Sequence, residues 1–283
     1  MKHTVFTFLF SAKYLVFLVL AGAGVLLLTL RKSGKGSRAA VLAAAFLLLG
    51  GVAGLVFPVL ARPLGLHPSP MCAVTKLIGV VWLRGFFPPP MVAALIAIVL
   101  LSLAGKKLFC GWACPLGAAQ ELLYLIPGIK KLKNIPFRIT NSVRAVLMGV
   151  FLAALFAFGI ITYDYFNGFE ALHWQASLSA GAVALVIAAA SLFYYRPYCY
   201  LVCPIGLLSW ALERFSLLQV RLDKEACSDC KACLDAAPCP SLAPLMEGKT
   251  GWLPDCTSCG LCLKECPTEA LRFGPPKPSS AYN

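Results

Sequence analysis

The sequence predicts an all-α transmembrane helical bundle of about five spans, followed by a small C-terminal α+β module. Three observations carry this reading. Hydrophobic residues make up 59% of the chain and charged residues 13%, against about a quarter charged in soluble domains. Five apolar runs, at 9–30, 39–60, 88–104, 143–162 and 174–195, have the length needed to cross about 30 Å of hydrocarbon. After about residue 219 the hydropathy drops, and eight of the 13 cysteines crowd into two short runs. The chain therefore divides into 1–215, lying in the membrane, and 216–283.

Taken in order, the first run follows the basic start MKHTVFTFLFSAK with no small-residue cleavage site, so it reads as an uncleaved helix. The second precedes a stretch, 61–87, too apolar for a tether. Its segment AVTKLIGVVWLRGFF reads as interfacial or re-entrant. The third run is short and opens on Pro88-Pro89-Pro90, and proline is tolerated only in a first helical turn. The fourth and fifth are joined by 163–173. Residues 116–126 and 205–218 read as short amphipathic helices on the membrane surface.

Charge sets the orientation. The chain has 25 Lys+Arg and 12 Asp+Glu; residues 216–283 hold 7 and 8 of these, leaving 18 and 4 for 1–215. The basic excess thus belongs to the membrane part, where the positive-inside rule explains it and no nucleic acid is implied. Arg31, Lys32, Lys35, Arg38, Lys106, Lys107, Lys130, Lys131, Lys133, Arg138, Arg144, Arg196 and Arg214 share one side, expected to be cytoplasmic. Arg62, Lys76 and Arg84 face the other. The expectation is a multi-pass protein of the inner (cytoplasmic) membrane with its C-terminal module in the cytoplasm.

That module carries Cys227-x2-Cys230-x2-Cys233-x5-Cys239-Pro240 and then Cys256-x2-Cys259-x2-Cys262-x3-Cys266-Pro267. Thiolate sulfur suits iron, two-residue gaps set three ligands around one cubane, and in two-cluster ferredoxins the Cys before Pro ligates the other cluster. The expectation is a bacterial-type ferredoxin module holding two [4Fe–4S] clusters, one on Cys227, Cys230, Cys233 and Cys266, the other on Cys239, Cys256, Cys259 and Cys262. Structural zinc would use C-x2-C pairs rather than triplets ending in Cys-Pro. The five residues before Cys239, where three are usual, lengthen a loop without removing a ligand.

A repeat lies within the membrane part. Phe109-Cys110-Gly111-Trp112-Ala113-Cys114-Pro115-Leu116-Gly117 aligns without gaps with Tyr198-Cys199-Tyr200-Leu201-Val202-Cys203-Pro204-Ile205-Gly206, 89 residues later. Each copy follows a span that exits to the cytoplasm, so spans two–three and four–five read as parallel hairpins related by duplication. Each Pro fits the first turn of a helix, making Cys114 and Cys203 candidate N-cap residues whose thiol pKa the helix terminus would lower. Cys110, Cys114, Cys199 and Cys203 are a candidate additional metal or redox site: a Cys-ligated metal centre, or a pair of dithiols.

With these motifs in place, residues 39–283 resemble the membrane polyferredoxins of the NapH/MauN type, which include the C-terminal half of NosR. The first helix is an addition to their four-span form. The resemblance implies a [4Fe–4S] quinol dehydrogenase membrane component, or an electron-transfer subunit of a larger oxidoreductase complex, linking membrane quinone/quinol to a partner redox protein. Some related polyferredoxins are cupric reductases, so a metal reductase or redox assembly factor is the alternative, and His67, Met71 and Cys72 offer soft copper ligands. His173 and Glu170, with Tyr163, Tyr165 and Trp174, are candidates for a quinol headgroup site, since quinol oxidation needs a proton acceptor; an interfacial aromatic belt is the competing reading. No nucleotide fingerprint, catalytic triad or flavin motif occurs.

Overall fold

A computed structural model describes residues 5–57, 59–60, 64, 69–132, 135–173, 178–240, 242–247 and 253–275. His67 and Trp174 lie outside the described residues, as does the side chain of His173. The described helices are α1 (Val5–Leu9), α2 (Ala12–Thr29), α3 (Lys35–Leu49), α4 (Val52–Val56), α5 (Thr75–Arg84), α6 (Pro89–Gly105), α7 (Pro115–Tyr124), α8 (Phe137–Phe158), α9 (Leu178–Phe193), α10 (Pro197–Leu201) and α11 (Pro204–Leu212). The C-terminal module adds strand β1 (Gln219–Leu222), helices α12 (Ala232–Ala236), α13 (Leu242–Met246) and α14 (Leu261–Lys264), and strand β2 (Leu271–Gly274). The strands pair antiparallel, Gln219 opposite Gly274 and Leu222 opposite Leu271.

Helices stand at each of the five expected places, with shifted ends. Among the described residues, α2 and α8 are long and apolar enough to cross a membrane, while α6 and α9 are apolar but shorter. At the second run the unbroken helix α3 has only 15 residues, because Gly50 and Gly51 stop it and Gly51 takes a left-handed φ of 82°, a conformation glycine adopts without penalty. Helix α8 begins at Phe137 rather than near 143. Its first turns carry Arg138, Asn141 and Arg144, which hydropathy counts against a span although the helix runs through them. The two helices expected on the membrane surface are α7 and α11, but α7 lies inside, burying Leu116, Ala118, Gln120 and Glu121, and α11 buries Ile205 and Ser209.

Burial follows helical periodicity. Helix α2 buries Tyr14, Phe17, Ala21, Gly24 and Leu28, a spacing of three and four that forms one stripe, while Leu15, Leu18, Val19 and Leu26 stay exposed. Helix α8 buries Thr140, Arg144, Phe151 and Leu155 and turns Val146, Val150, Phe156 and Phe158 outward. Apolar faces this wide are what hydrocarbon covers, which fits a membrane-associated protein.

Two cores form. The larger joins α2, α3, α6, α8 and the Cys-Pro loops through Phe17, Leu49, Ile98, Phe109, Phe151 and Ile205. The second lies in the C-terminal module, yet it includes Leu28, Leu108 and Trp112. The chain after α11 is stitched to the end of α6, where Leu217 and Leu218 donate backbone hydrogen bonds to Leu103 and Ala104 (2.7 and 3.1 Å). These bonds satisfy carbonyls that the helix terminus would leave open.

Candidate iron–sulfur site

The two cysteine runs fold into matching loops. In the first, Asp229 and Lys231 adopt left-handed φ values of 51° and 61°; in the second, Ser258 and Gly260 do so at 49° and 78°. Each pair flanks the middle cysteine, Cys230 or Cys259. Non-glycine residues visit this region rarely. A short helix then carries the third cysteine of each run, Cys233 on α12 and Cys262 on α14. Such alternation turns successive N–H groups into a concave nest, a surface suited to an anionic cluster.

Eight cysteines line two cavities. Cys227, Cys230, Cys233 and Cys266 surround one, together with Leu222, Met246 and Leu271. Cys239, Cys256, Cys259 and Cys262 surround the other, which is also walled by Tyr195 and Tyr200 of the membrane part. The long excursion from Cys233 to Cys239 crosses between the loops. All eight thiols are free. Four soft sulfurs around each apolar cavity fit an iron–sulfur cluster, which needs thiolate ligands and a dry surround. Among the described residues, no group of three His, Cys, Asp or Glu is arranged to hold a single metal ion.

The second loop is locked onto the helices that precede the module. The indole Nε1 of Trp112 donates to the Ser258 carbonyl (2.9 Å), the Ser258 hydroxyl donates to the Gly105 carbonyl (2.9 Å), and the Ser33 hydroxyl donates to the Cys259 carbonyl (2.6 Å). Arg31 Nη2 reaches the Leu263 carbonyl at 2.7 Å. Gly111 packs so closely that a Cβ would overlap the Thr257 carbonyl oxygen. Gly111→Ala is therefore expected to destabilise the protein by about 2–3 kcal/mol, since the clash is with backbone. The measurement is the loss of cluster absorbance on heating, and an unchanged midpoint would contradict this contact.

The Cys-Pro motifs lie directly behind that loop. Cys114 is the N-cap of α7 and Cys203 the N-cap of α11, as expected. The expected lowering of their pKa does not occur. Burial pushes Cys114 well up and Cys203 up to about 12, and the nearby thiols add to it. Burial likewise raises Cys199 to about 11 against the pull of Arg196. Amides at the helix starts, Gly117 for Cys114 and Ile205 and Gly206 for Cys203, oppose the rise, but neither thiol makes a full capping hydrogen bond. Desolvation of the charged form outweighs the helix terminus here.

Several basic residues that orientation alone accounts for in the sequence are buried in this region. Glu121, on α7, accepts from Arg38 through Nε and Nη2 (the latter 3.0 Å), from Arg196 Nε (2.8 Å) and from the Tyr195 hydroxyl (2.7 Å). Burial would raise the Glu121 carboxyl, but Arg38 and Arg196 hold it at about 2. Asp255, one residue before Cys256, is fully buried between Lys107 and Arg144, whose Nη2 lies 2.7 Å from Oδ2. The Asp255 amide donates to Glu213 (2.8 Å). Burial, against the attraction of Lys107 and Lys106, raises Glu213 to about 7. These two knots escape a motif search because they are assembled from residues scattered between Arg38 and Asp255. One signal was available: Lys107 and Arg196 each stand three residues before the first cysteine of a copy.

Those two cations cross over. Arg196 donates to the Cys110 carbonyl and crowds Gly117, while Lys107 Nζ donates to the Gly206 carbonyl at 2.8 Å. Each copy is thus gripped by the cation that precedes the other.

The remaining candidates lie outside the two cysteine-lined cavities. Glu170 opens a 3-10 turn that ends at His173. The buried Tyr163 hydroxyl has no hydrogen-bond partner among the described residues. Met71 and Cys72 are buried, the Met71 sulfur accepts from the Tyr198 hydroxyl (3.2 Å), and Ser69 donates to the Cys72 sulfur (3.1 Å).

Comparison with known proteins agrees with this chemistry. A family model described as a 4Fe-4S binding domain matches residues 87–133 and 177–224, the two Cys-Pro regions, and a second of the same description matches 254–272. The chain is 29% identical to the ferredoxin-type protein NapH of Escherichia coli over 186 residues, covering 62% of this chain and 64% of that protein. It is 28% identical to the methylamine utilization ferredoxin-type protein MauN of Methylobacillus flagellatus over 205 residues, covering 70% and 67%. The regulatory protein NosR of Stutzerimonas stutzeri matches at 27% over 153 residues, half of this chain but 21% of that one. The match to NapH thus leaves more than a third of that relative uncovered. No solved structure matches. The duplicated Cys-Pro loops, the paired cysteine runs and these relatives together make the chain similar to the NapH/MauN-type polyferredoxins and identify it as an iron–sulfur protein of electron transport.

Proposed function

We propose that this chain passes electrons between the membrane quinone/quinol pool and a partner redox protein through two [4Fe–4S] clusters. One is held by Cys227, Cys230, Cys233 and Cys266, the other by Cys239, Cys256, Cys259 and Cys262. The observation that carries this is the pair of cysteine-lined cavities, the second of them walled by Tyr195 and Tyr200 beside the Cys199 loop. A cubane stores one electron at a potential tuned by its surroundings. The chain's own residues do the positioning: the left-handed turns aim the N–H groups, and the knot at Asp255 presses the second quartet against the membrane helices.

The membrane end supports the quinol half of the reading. Between α8 and α9 an apolar cleft lined by Leu147, Phe166, Val183, Val186, Tyr198 and Val202 opens outward. An isoprenoid chain fits such a surface, and the protein end of the cleft reaches Tyr198 and Val202, the neighbours of Cys199 and Cys203. The multi-pass arrangement in the inner membrane, with residues 216–283 on the cytoplasmic side, rests on the 13 basic residues of one side against three of the other. The copper reading draws less support, because both described soft ligands are already engaged by Tyr198 and Ser69.

The test uses the full chain purified anaerobically in detergent. Cys230→Ala should lower iron and acid-labile sulfide by about four each, one cubane, and a quinol analogue should reduce the clusters of the unaltered protein. Clusters that a quinol analogue leaves oxidised, but that copper(II) rapidly reoxidises after chemical reduction, would overturn the quinol reading in favour of a cupric reductase.

A further inference from the structure

The cleft between α8 and α9 encloses about 400 Å³, room for a small-molecule ligand. Its lining is aliphatic and aromatic, with Leu147, Val183, Val186 and Val202 among it. Such walls match a hydrocarbon chain and offer a polar head nothing. The polar group lies just behind them. Phe166 lines the cleft, and its ring packs on Tyr163 at 5.0 Å between centroids. Tyr163 also meets Phe151 edge-on at 5.4 Å, and Phe151 stands one helical turn from Leu147. Tyr163 is fully buried, yet its hydroxyl has no hydrogen-bond partner among the described residues. A buried, unpaired hydroxyl is uncommon, since its desolvation is left uncompensated.

The polar groups around it are engaged or turned away. The Tyr198 hydroxyl accepts from the Gly168 amide (3.1 Å) and lies 3.1 Å from the Phe166 carbonyl. Asp164 pairs with Lys76 at 3.2 Å, and Tyr165 is 73% exposed. The segment that carries Tyr163 is packed into the bundle, for a Cβ on Gly168 would overlap the Ile187 side chain. Tyr163 and Tyr198 both lie within electrostatic reach of Cys203, whose neighbour Val202 lines the cleft. The cleft, the Tyr163 ring and the second Cys-Pro loop thus meet at one place.

We infer that Tyr163 anchors the headgroup of a quinone, its hydroxyl donating a hydrogen bond to a ring carbonyl oxygen while the isoprenoid chain lies along the cleft. The inference rests on the proposed quinol reading and adds the residue that recognises the ring. Phe166 stands between Tyr163 and the cleft, so the entering ring displaces its side chain to another rotamer and stacks on it. The tails of a phospholipid match the cleft equally well, but its phosphate would have to be buried without a counter-charge to reach Tyr163. A quinone ring is neutral and brings only oxygen acceptors.

The experiment uses the full chain purified anaerobically in detergent and two probes, a benzoquinone and a naphthoquinone each bearing a decyl chain. Tyr163→Phe should weaken binding of whichever ring the unaltered protein holds by about three- to tenfold, the loss of one net hydrogen bond. Its iron content should not change. Its melting midpoint without quinone should stay level or rise, because the variant removes an unpaired hydroxyl and keeps the packing. A lower midpoint would assign the hydroxyl a structural partner and overturn the inference. Val186→Trp, at a position 67% exposed on the cleft, should weaken the decyl probes more than the same rings without a chain, and equal effects would overturn the placement of the chain. Binding that is unchanged in Tyr163→Phe, or weakened only in Glu170→Gln, would move the headgroup elsewhere while the proposed function stands. A protein that binds neither ring would overturn the inference, and if a quinol also fails to reduce its clusters, the proposed function falls with it.

Discussion

Asp255→Ala is expected to destabilise the protein by about 3–5 kcal/mol, the usual consequence of removing one member of a buried ion pair. The carboxylate is fully buried and is shared by Lys107 and Arg144, so its loss strands two cations in a place water does not reach. Asp255 also precedes Cys256, and its amide is held by Glu213. With the clusters held as proposed, the damage should therefore appear first at the second cysteine quartet, as iron lost from Cys239, Cys256, Cys259 and Cys262 at a temperature where the other quartet keeps its own. Combining Asp255→Ala with Lys107→Met should recover part of the loss, because one stranded charge is gone. Thermal melts followed by cluster absorbance check both statements. A single variant that melts with the unaltered protein would show that the knot contributes nothing to holding the module in place.

Glu121→Gln should cost a comparable amount, and its effect should depend on pH. The Glu121 carboxyl sits near 2 in the folded chain against 4.5 ordinarily, so the unfolded chain binds more protons between those values. Stability contributed by Glu121 is then fully present above about pH 4.5 and is lost as pH falls toward 2, amounting to about 3 kcal/mol at neutral pH. Glu213 acts with the opposite sign. Its carboxyl is raised to about 7, so the folded chain holds the extra proton and stability declines as pH rises from about 4.5 to 7. The melting midpoint should thus drop on the acid side in the unaltered protein, and Glu121→Gln should flatten that limb while leaving the decline toward neutral pH intact. An acid limb of unchanged slope in Glu121→Gln would remove Glu121 from the account.

Much of this chain was open to reading from its residues. Apolar runs gave helix positions because hydrocarbon imposes one length and one composition. Cysteine spacing gave the ferredoxin loops because a cubane needs three ligands within one turn of chain, and CxxxCP gave helix starts because proline suits a first turn. Helix ends were less legible. Gly50 and Gly51 cut the second run short, and Arg144 hid the true start of α8, since a hydropathy count treats a buried, paired arginine as if it faced water.

The sequence by itself determined the chemistry: which cysteines come in threes, which precede proline, and that the Cys-Pro motif is present twice at an interval of 89 residues. Only the tertiary structure decided what those motifs lean against. Arg38, Lys107, Arg144 and Arg196 read as loop charges that orient the protein, yet they lie buried on Glu121 and Asp255, carboxylates that belong to an interior helix and to the ferredoxin loop. The physical reason is that an ion pair is a property of two distant segments and leaves no periodicity in either. The thiols behaved likewise: a helix start lowers a pKa according to local sequence, but burial among their neighbours, visible only in the fold, raises Cys114 and Cys203 instead.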